Sequence, residues 1–132
     1  MKIIFNYYEN KFSNNLSPSC HSIEIASKYD SLAGYITDDA SDPYAHSLFL
    51  QDVLIKARKG NECDLSSNNW GCELLNNEIF MFFMLDEYNE KYYVHIPAIE
   101  FIYVIDEWIK FINKPILDID YKEIIDTEDA YK

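Results

Sequence analysis

Glycine is scarce in this chain, with three in 132 residues. Gly34, Gly60 and Gly71 lie far apart, which excludes a glycine-rich phosphate loop, because such a loop needs clustered residues free to turn their amides toward a ligand. Cysteine is equally sparse. Cys20, Cys63 and Cys72 are odd in number and lack paired short spacings, so neither a disulfide framework nor a structural zinc site is indicated. Reduced thiols fit a cytoplasmic protein. No apolar stretch approaches the roughly 18 uninterrupted residues of a membrane span, and Asn6 and Glu9 break the opening run before a signal-peptide core forms. The three histidines, His21, His46 and His95, belong to no nucleophile-base or metal-ligand signature, so no catalytic residue, metal or cofactor is expected.

Positive charge is the other shortage: 11 Lys and Arg stand against 23 Asp and Glu, a formal charge of -12. Such a surface repels phosphate backbones and anionic lipid, so direct nucleic-acid and membrane partners are disfavoured while basic proteins are steered toward it. Disorder is excluded by what is present. A chain that is 48% hydrophobic can bury a core, and its length fits one domain spanning residues 1–132.

Along the chain, Lys2 to Tyr8 reads as an opening strand, Asn10 to Ser19 as a loop around Pro18, and His21 to Ala26 as a second strand with Ile23 and Ile25 alternating against polar neighbours. Asp42-Pro43 is a helix start: an aspartate caps free amides and proline presets the first φ. Leu50, Val53, Leu54 and Ala57 give the helix from Tyr44 to Lys59 a buried face, and Gly60 can stop it in the left-handed conformation. Trp70 to Leu75 and Glu78 to Leu85 read as strands. In the latter, Ile79, Met81 and Phe83 oppose Phe80, Phe82 and Met84, which predicts a central strand with no solvent face for a charge at Phe82. Lys91 to Ile96 suits an antiparallel partner. After Pro97, the stripe Phe101, Val104, Ile105, Trp108 and Ile112 predicts a second helix ended by Pro115. The acidic segment 116–132 is expected either to fray in solvent or to serve as a binding patch. The sum is an α+β single domain with a mainly antiparallel sheet of four or more strands and two principal helices.

Candidate functional residues are surface residues. Aromatics make up 16% of the chain, with 11 tyrosines, and tyrosine joins a large apolar ring to a polar tip suited to protein interfaces. Acids and tyrosines coincide in two places. One patch is Asp38, Asp39, Asp42 and Tyr44; the other is Asp118, Asp120, Tyr121 and Glu123. The aspartate loop lacks the glycine and distal glutamate of an EF-hand, so a solvated acidic loop is favoured over a metal site.

The opening segment KIIFNYYE, the loop SLAGYITDDASDP before a helix, the strand pair EIFMFFML and KYYVHI, and the closing helix EFIYVIDEWIKFI together resemble bacterial immunity proteins of contact-dependent growth inhibition. The resemblance is one of layout and covers most of the chain. It implies a non-enzyme that binds a cognate basic toxin domain, often a nuclease, and covers its active site or substrate-docking surface. Physical chemistry agrees on one point: a nuclease must present positive charge to phosphates, and an acidic protein can occupy that charge. Two alternatives stay open, an acidic adaptor or inhibitor of another basic protein and a small hydrolase. The hydrolase requires a pocket joining His95 or His46 to carboxylates or a cysteine.

Overall fold

The computed structural model describes residues 1–12, 15–23, 29–38, 42–116 and 118–132. β1 (Lys2–Asn10) lies between two antiparallel partners, β2 (Asn15–Ser22) and β7 (Lys122–Asp126), in a sheet of order β2-β1-β7. Ile3, Phe5 and Tyr7 of β1 point inward and are buried. Much of the expected loop Asn10 to Ser19 is therefore strand: Asn15 pairs with Asn10 and Ser19 with Asn6. Pro18 is tolerated because β2 is an edge strand, where a missing amide breaks no inner ladder. The expected strand from His21 to Ala26 ends at Ser22, and residues 24–26 lie outside the described residues.

α1 (Tyr29–Ile36) forms where a loop was expected. Its buried Tyr29, Leu32, Ala33 and Ile36 recur at helical spacing, and packing against β2 and the later strand Glu78–Phe83 offsets the weak propensity of eight residues containing Ser31 and Gly34. α2 (Pro43–Lys59) follows the sequence signals closely. The Asp42 carboxylate accepts from the Ala45 amide at 3.1 Å, and Gly60 adopts φ 76° with its amide on the Ala57 carbonyl.

The second sheet has the order β3-β4-β5-β6, from Cys63–Asp64, Trp70–Leu75, Glu78–Phe83 and Val94–Pro97, all antiparallel. Asn76 and Asn77 join β4 to β5 with φ of 52° and 62°, the geometry of a two-residue type I′ hairpin that asparagine tolerates best among residues with a side chain. β5 stops at Phe83 rather than Leu85, because Met84–Asp86 winds into a 3-10 turn. Glu90–Tyr92 is likewise a 3-10 turn, so β6 begins at Val94 and not at Lys91.

α3 (Ala98–Ile112) is the hub, packed against α2, β5, β6 and the C-terminal turn. Phe5 meets Trp108 edge-on with ring centres 5.2 Å apart and Phe111 at 5.5 Å. Each ring so buried contributes roughly 1.5–3 kcal/mol through surface withdrawn from water. The helices thus fill the space between the inner faces of two sheets, an α+β architecture in which, among the described residues, the short α1 joins the two principal helices expected. Residues 118–132 of the acidic C-terminal segment are held against the fold. β7 completes the first sheet, Thr127 is 1% exposed with its amide on the Met1 carbonyl at 2.9 Å, and the Tyr131 hydroxyl reaches Glu100 of α3.

Candidate protein-binding interface

Of the first predicted patch, Asp38 serves the fold. Its carboxylate accepts from the Asn69 amide at 2.9 Å, the Asn69 side chain at 2.7 Å and the Ser67 hydroxyl, tying the end of α1 to the β3–β4 loop. Asp42 caps α2, Tyr44 stands half exposed beside it, and Asp39 lies outside the described residues. In the second patch, Asp118 accepts from the Asp120 amide at 2.8 Å, closing a tight turn on the surface. The Tyr121 hydroxyl donates to Glu123 at 2.6 Å, and Lys114 pairs with the same carboxylate at 2.5 Å. Partial burial works against ionisation of Glu123, but the Lys114 and Tyr121 bonds prevail and hold its carboxyl below the ordinary range. The Tyr121 ring stands 6.4 Å from that of Tyr7, centre to centre. Burial, then the nearby Tyr44, Tyr121 and Glu123, push the Tyr7 phenol up. The carboxylates of Asp38, Asp42, Asp118 and Glu123 are thus engaged by the chain itself.

On a different surface the acids have no lysine or arginine on their own strands, although Asp64 accepts from the Ser66 amide at 2.9 Å and its hydroxyl at 2.6 Å. The register Glu73↔Phe80↔His95, with Gly71↔Phe82 and Leu75↔Glu78, places these residues on the side of the second sheet opposite the buried Cys72, Ile79, Met81 and Ile96. Phe80 and Phe82 are half-buried, so this face is not covered by core, contrary to the expectation for Phe82. Phe80 is the centre of an aromatic strip, with ring centres 4.9 Å from His95, 5.5 Å from Tyr93 and 5.9 Å from Phe82. Phe82 lies flat over Gly71: a Cβ there would come within 2.2 Å of the ring, so only glycine leaves it room. The four strands contain Asp64, Glu73 and Glu78 but no lysine or arginine. His95 Nδ1 sits 2.7 Å from Glu78 Oε1, and beside them Leu75, Asn76, Glu78, Phe80 and His95 line a cleft of about 320 Å³. Two apolar faces on β5 concealed this surface from sequence reasoning. Its signal was the register, since Phe80 stands between charged Glu73 and ionisable His95.

The cleft that a hydrolase would use is built differently from a catalytic one. Ala45, His46, Phe49, Ser66, Ser67 and Asn68 line about 310 Å³ between α2 and the β3–β4 loop. His46 Nε2 lies 3.0 Å from the Tyr35 carbonyl, so it carries the proton and donates there, while the Ser67 hydroxyl donates to Asp38. A nucleophile needs its hydroxyl on the base and the base oriented by the acid; these bonds run in another order. Burial also pushes the Cys20 thiol up to about 12 and raises Cys72 further, which suppresses both thiolates. Among the described residues no group of three His, Cys, Asp or Glu side chains is placed to hold a metal, and no helix is long and apolar enough to cross a membrane.

Comparison with known proteins identifies relatives without a described activity. A family model described as a family of unknown function, DUF5376, matches residues 1–131. Three UPF0275 proteins of Pasteurella multocida (strain Pm70) are similar at 33% identity over 147 positions, 31% over 146 and 29% over 146. Each alignment covers 99% of this chain and between 97% and 100% of the relative. No solved structure matches.

Proposed function

The chain belongs to the DUF5376 family, and we propose that it is an immunity protein that binds a cognate toxin domain in the bacterial cytoplasm and neutralises it by covering a basic surface. The observation that carries this reading is the outer face of the second sheet. The exposed Tyr93 and the partly buried rings of Phe80 and Phe82 lie among Asp64, Glu73 and Glu78, with no lysine or arginine on the strands. Rings that leave water on binding supply affinity at the centre of an interface, and a single-signed rim speeds encounter with an oppositely charged partner. A nuclease toxin has the matching chemistry, because it must attract phosphate. The presence of three near-full-length relatives in one genome supports a set of binders in which each copy faces its own partner.

The test is protection. The reading frame immediately upstream of the gene is expressed with and without this protein. Growth arrest relieved by co-expression, together with a stable complex of the two purified proteins, is the expected result. A frame that is harmless, or toxic but neither bound nor relieved, overturns the reading.

A further inference from the structure

Resting on that reading, we infer that the cleft at the β4–β5 hairpin receives an arginine side chain of the partner, whose guanidinium takes the Glu78 carboxylate from His95. The cleft has the three features that such a side chain requires. Glu78 supplies a half-exposed carboxylate on one wall, and its charged-group contact among the described residues is His95, a hydrogen-bonded imidazole rather than a lysine or arginine. Phe80 supplies an aromatic face beside it, with His95 already seated at 4.9 Å in a tilted arrangement that a second planar group can replace. Leu75, half exposed, and the turn residue Asn76 complete the walls, giving an apolar surface for the alkyl stem and an amide acceptor near the rim. Arginine fits better than lysine, because its planar fork matches a carboxylate and stacks on a ring at the same time.

The surrounding charge selects the same occupant. Glu73 lies beside Phe80 on the neighbouring strand, outside the lining of the cleft, and adds negative charge at its approach. A second copy of this chain is a poor source of the guanidinium. Its single arginine, Arg58, is paired with Asp106 at 3.5 Å, and two chains each carrying -12 repel one another.

The experiment titrates the full isotope-labelled chain with the peptide acetyl-Gly-Arg-Gly-amide, following backbone amides by NMR, beside the same peptide carrying lysine or neutral citrulline. Selective shifts at Asn76, Glu78, Phe80 and His95 are expected with arginine, weaker ones with lysine and none with citrulline. Glu78→Gln should weaken the arginine response roughly tenfold, Phe80→Leu should weaken it while keeping the cleft apolar, and Glu123→Gln should leave it unchanged. Shifts that citrulline reproduces, that centre on Tyr44 or Tyr121, that survive Glu78→Gln, or that do not appear overturn the inference. The toxin assay separates the two ideas. Protection that Glu78→Gln leaves intact sinks the cleft alone, whereas an arginine-selective cleft in a protein that relieves no toxin sinks the immunity reading alone.

Discussion

The two sheets share one chain and one core yet treat charge in opposite ways. On the first, Lys2 and Lys122 share the outward face with Ile4, Asn6 and Ile124, and the acids have partners: the amino terminus lies 3.7 Å from Asp126, and Lys114 holds Glu123. The helices behave likewise, with Lys56 on Asp52, Arg58 on Asp106, and Lys110 on both Asp106 and Glu107. On the second sheet the strands carry acids and aromatics without a lysine or arginine. A formal charge of -12 is therefore not an even coat. Among the described residues the ion pairs made by lysine and arginine lie on the helices and the C-terminal segment, and the second sheet's outer face keeps a negative field around rings that are only partly covered.

The strongest way to break this comparison uses adjacent residues of β5. Met81 is wholly buried and Phe82 half-buried on the opposite side. Met81→Asp should unfold the domain, because a charge without a partner in the core costs more than the roughly 5–15 kcal/mol margin of a small domain readily tolerates when cavity loss is added. Phe82→Asp should fold and cost about 1–2 kcal/mol, through lost contact with Gly71 and Phe80. Chemical denaturation of both variants decides it. Equal collapse would mean that the outer face is as much core as the inner one.

A smaller contrast sets a fold-serving acid against a free one. Asp38→Ala leaves the Asn69 amide and the Ser67 hydroxyl without their acceptor and should cost about 1–3 kcal/mol of stability. Glu73→Lys, on the exposed face, should change stability by no more than about 0.5 kcal/mol while slowing association with a basic partner and flattening its salt dependence. Thermal melts with stopped-flow binding separate the two. If Asp38→Ala alters only the association rate and Glu73→Lys only the melting temperature, the assignment of docking surface is reversed.

What the sequence revealed follows the range of the forces involved. α2 and α3 were legible because caps, stop signals and apolar stripes are local to each helix, and β4 and β5 because their composition is strongly strand-forming. β2 was hidden by its polar residues and Pro18, since it is held by register with β1 rather than by its own pattern. β7 is formed by Lys122 to Asp126 pairing with the other end of the chain, and only Ile125 of its five residues is buried, so nothing local marks it. α1 carried a readable stripe in Tyr29, Leu32, Ala33 and Ile36, but one so short that Ser31 and Gly34 outweighed it. The candidate face was the least legible. Apolar residues on both sides of β5 cannot say which side the helices cover; that depends on where α1 and α3 pack.

The smallest effect sharpens the first sheet's half of the comparison. Glu123 is ionised more readily in the folded chain than its usual value of 4.5 implies, despite partial burial, because Lys114 and the Tyr121 hydroxyl favour the carboxylate. A carboxyl depressed by folding contributes stability that is complete above the unfolded value and disappears as pH falls through the lower folded value. Thermal stability should therefore carry a modest acid-side decline below 4.5 traceable to this group. Glu123→Gln should remove that part of the decline and lower stability at neutral pH, where the wild-type pair is formed. Lys114→Met should do the same in part, with the Tyr121 bond retained. Melting curves from neutral to acid pH measure it. A decline identical in all three proteins would show that the pair does not fasten β7 to the end of α3, and that Glu123 is as free as Glu73.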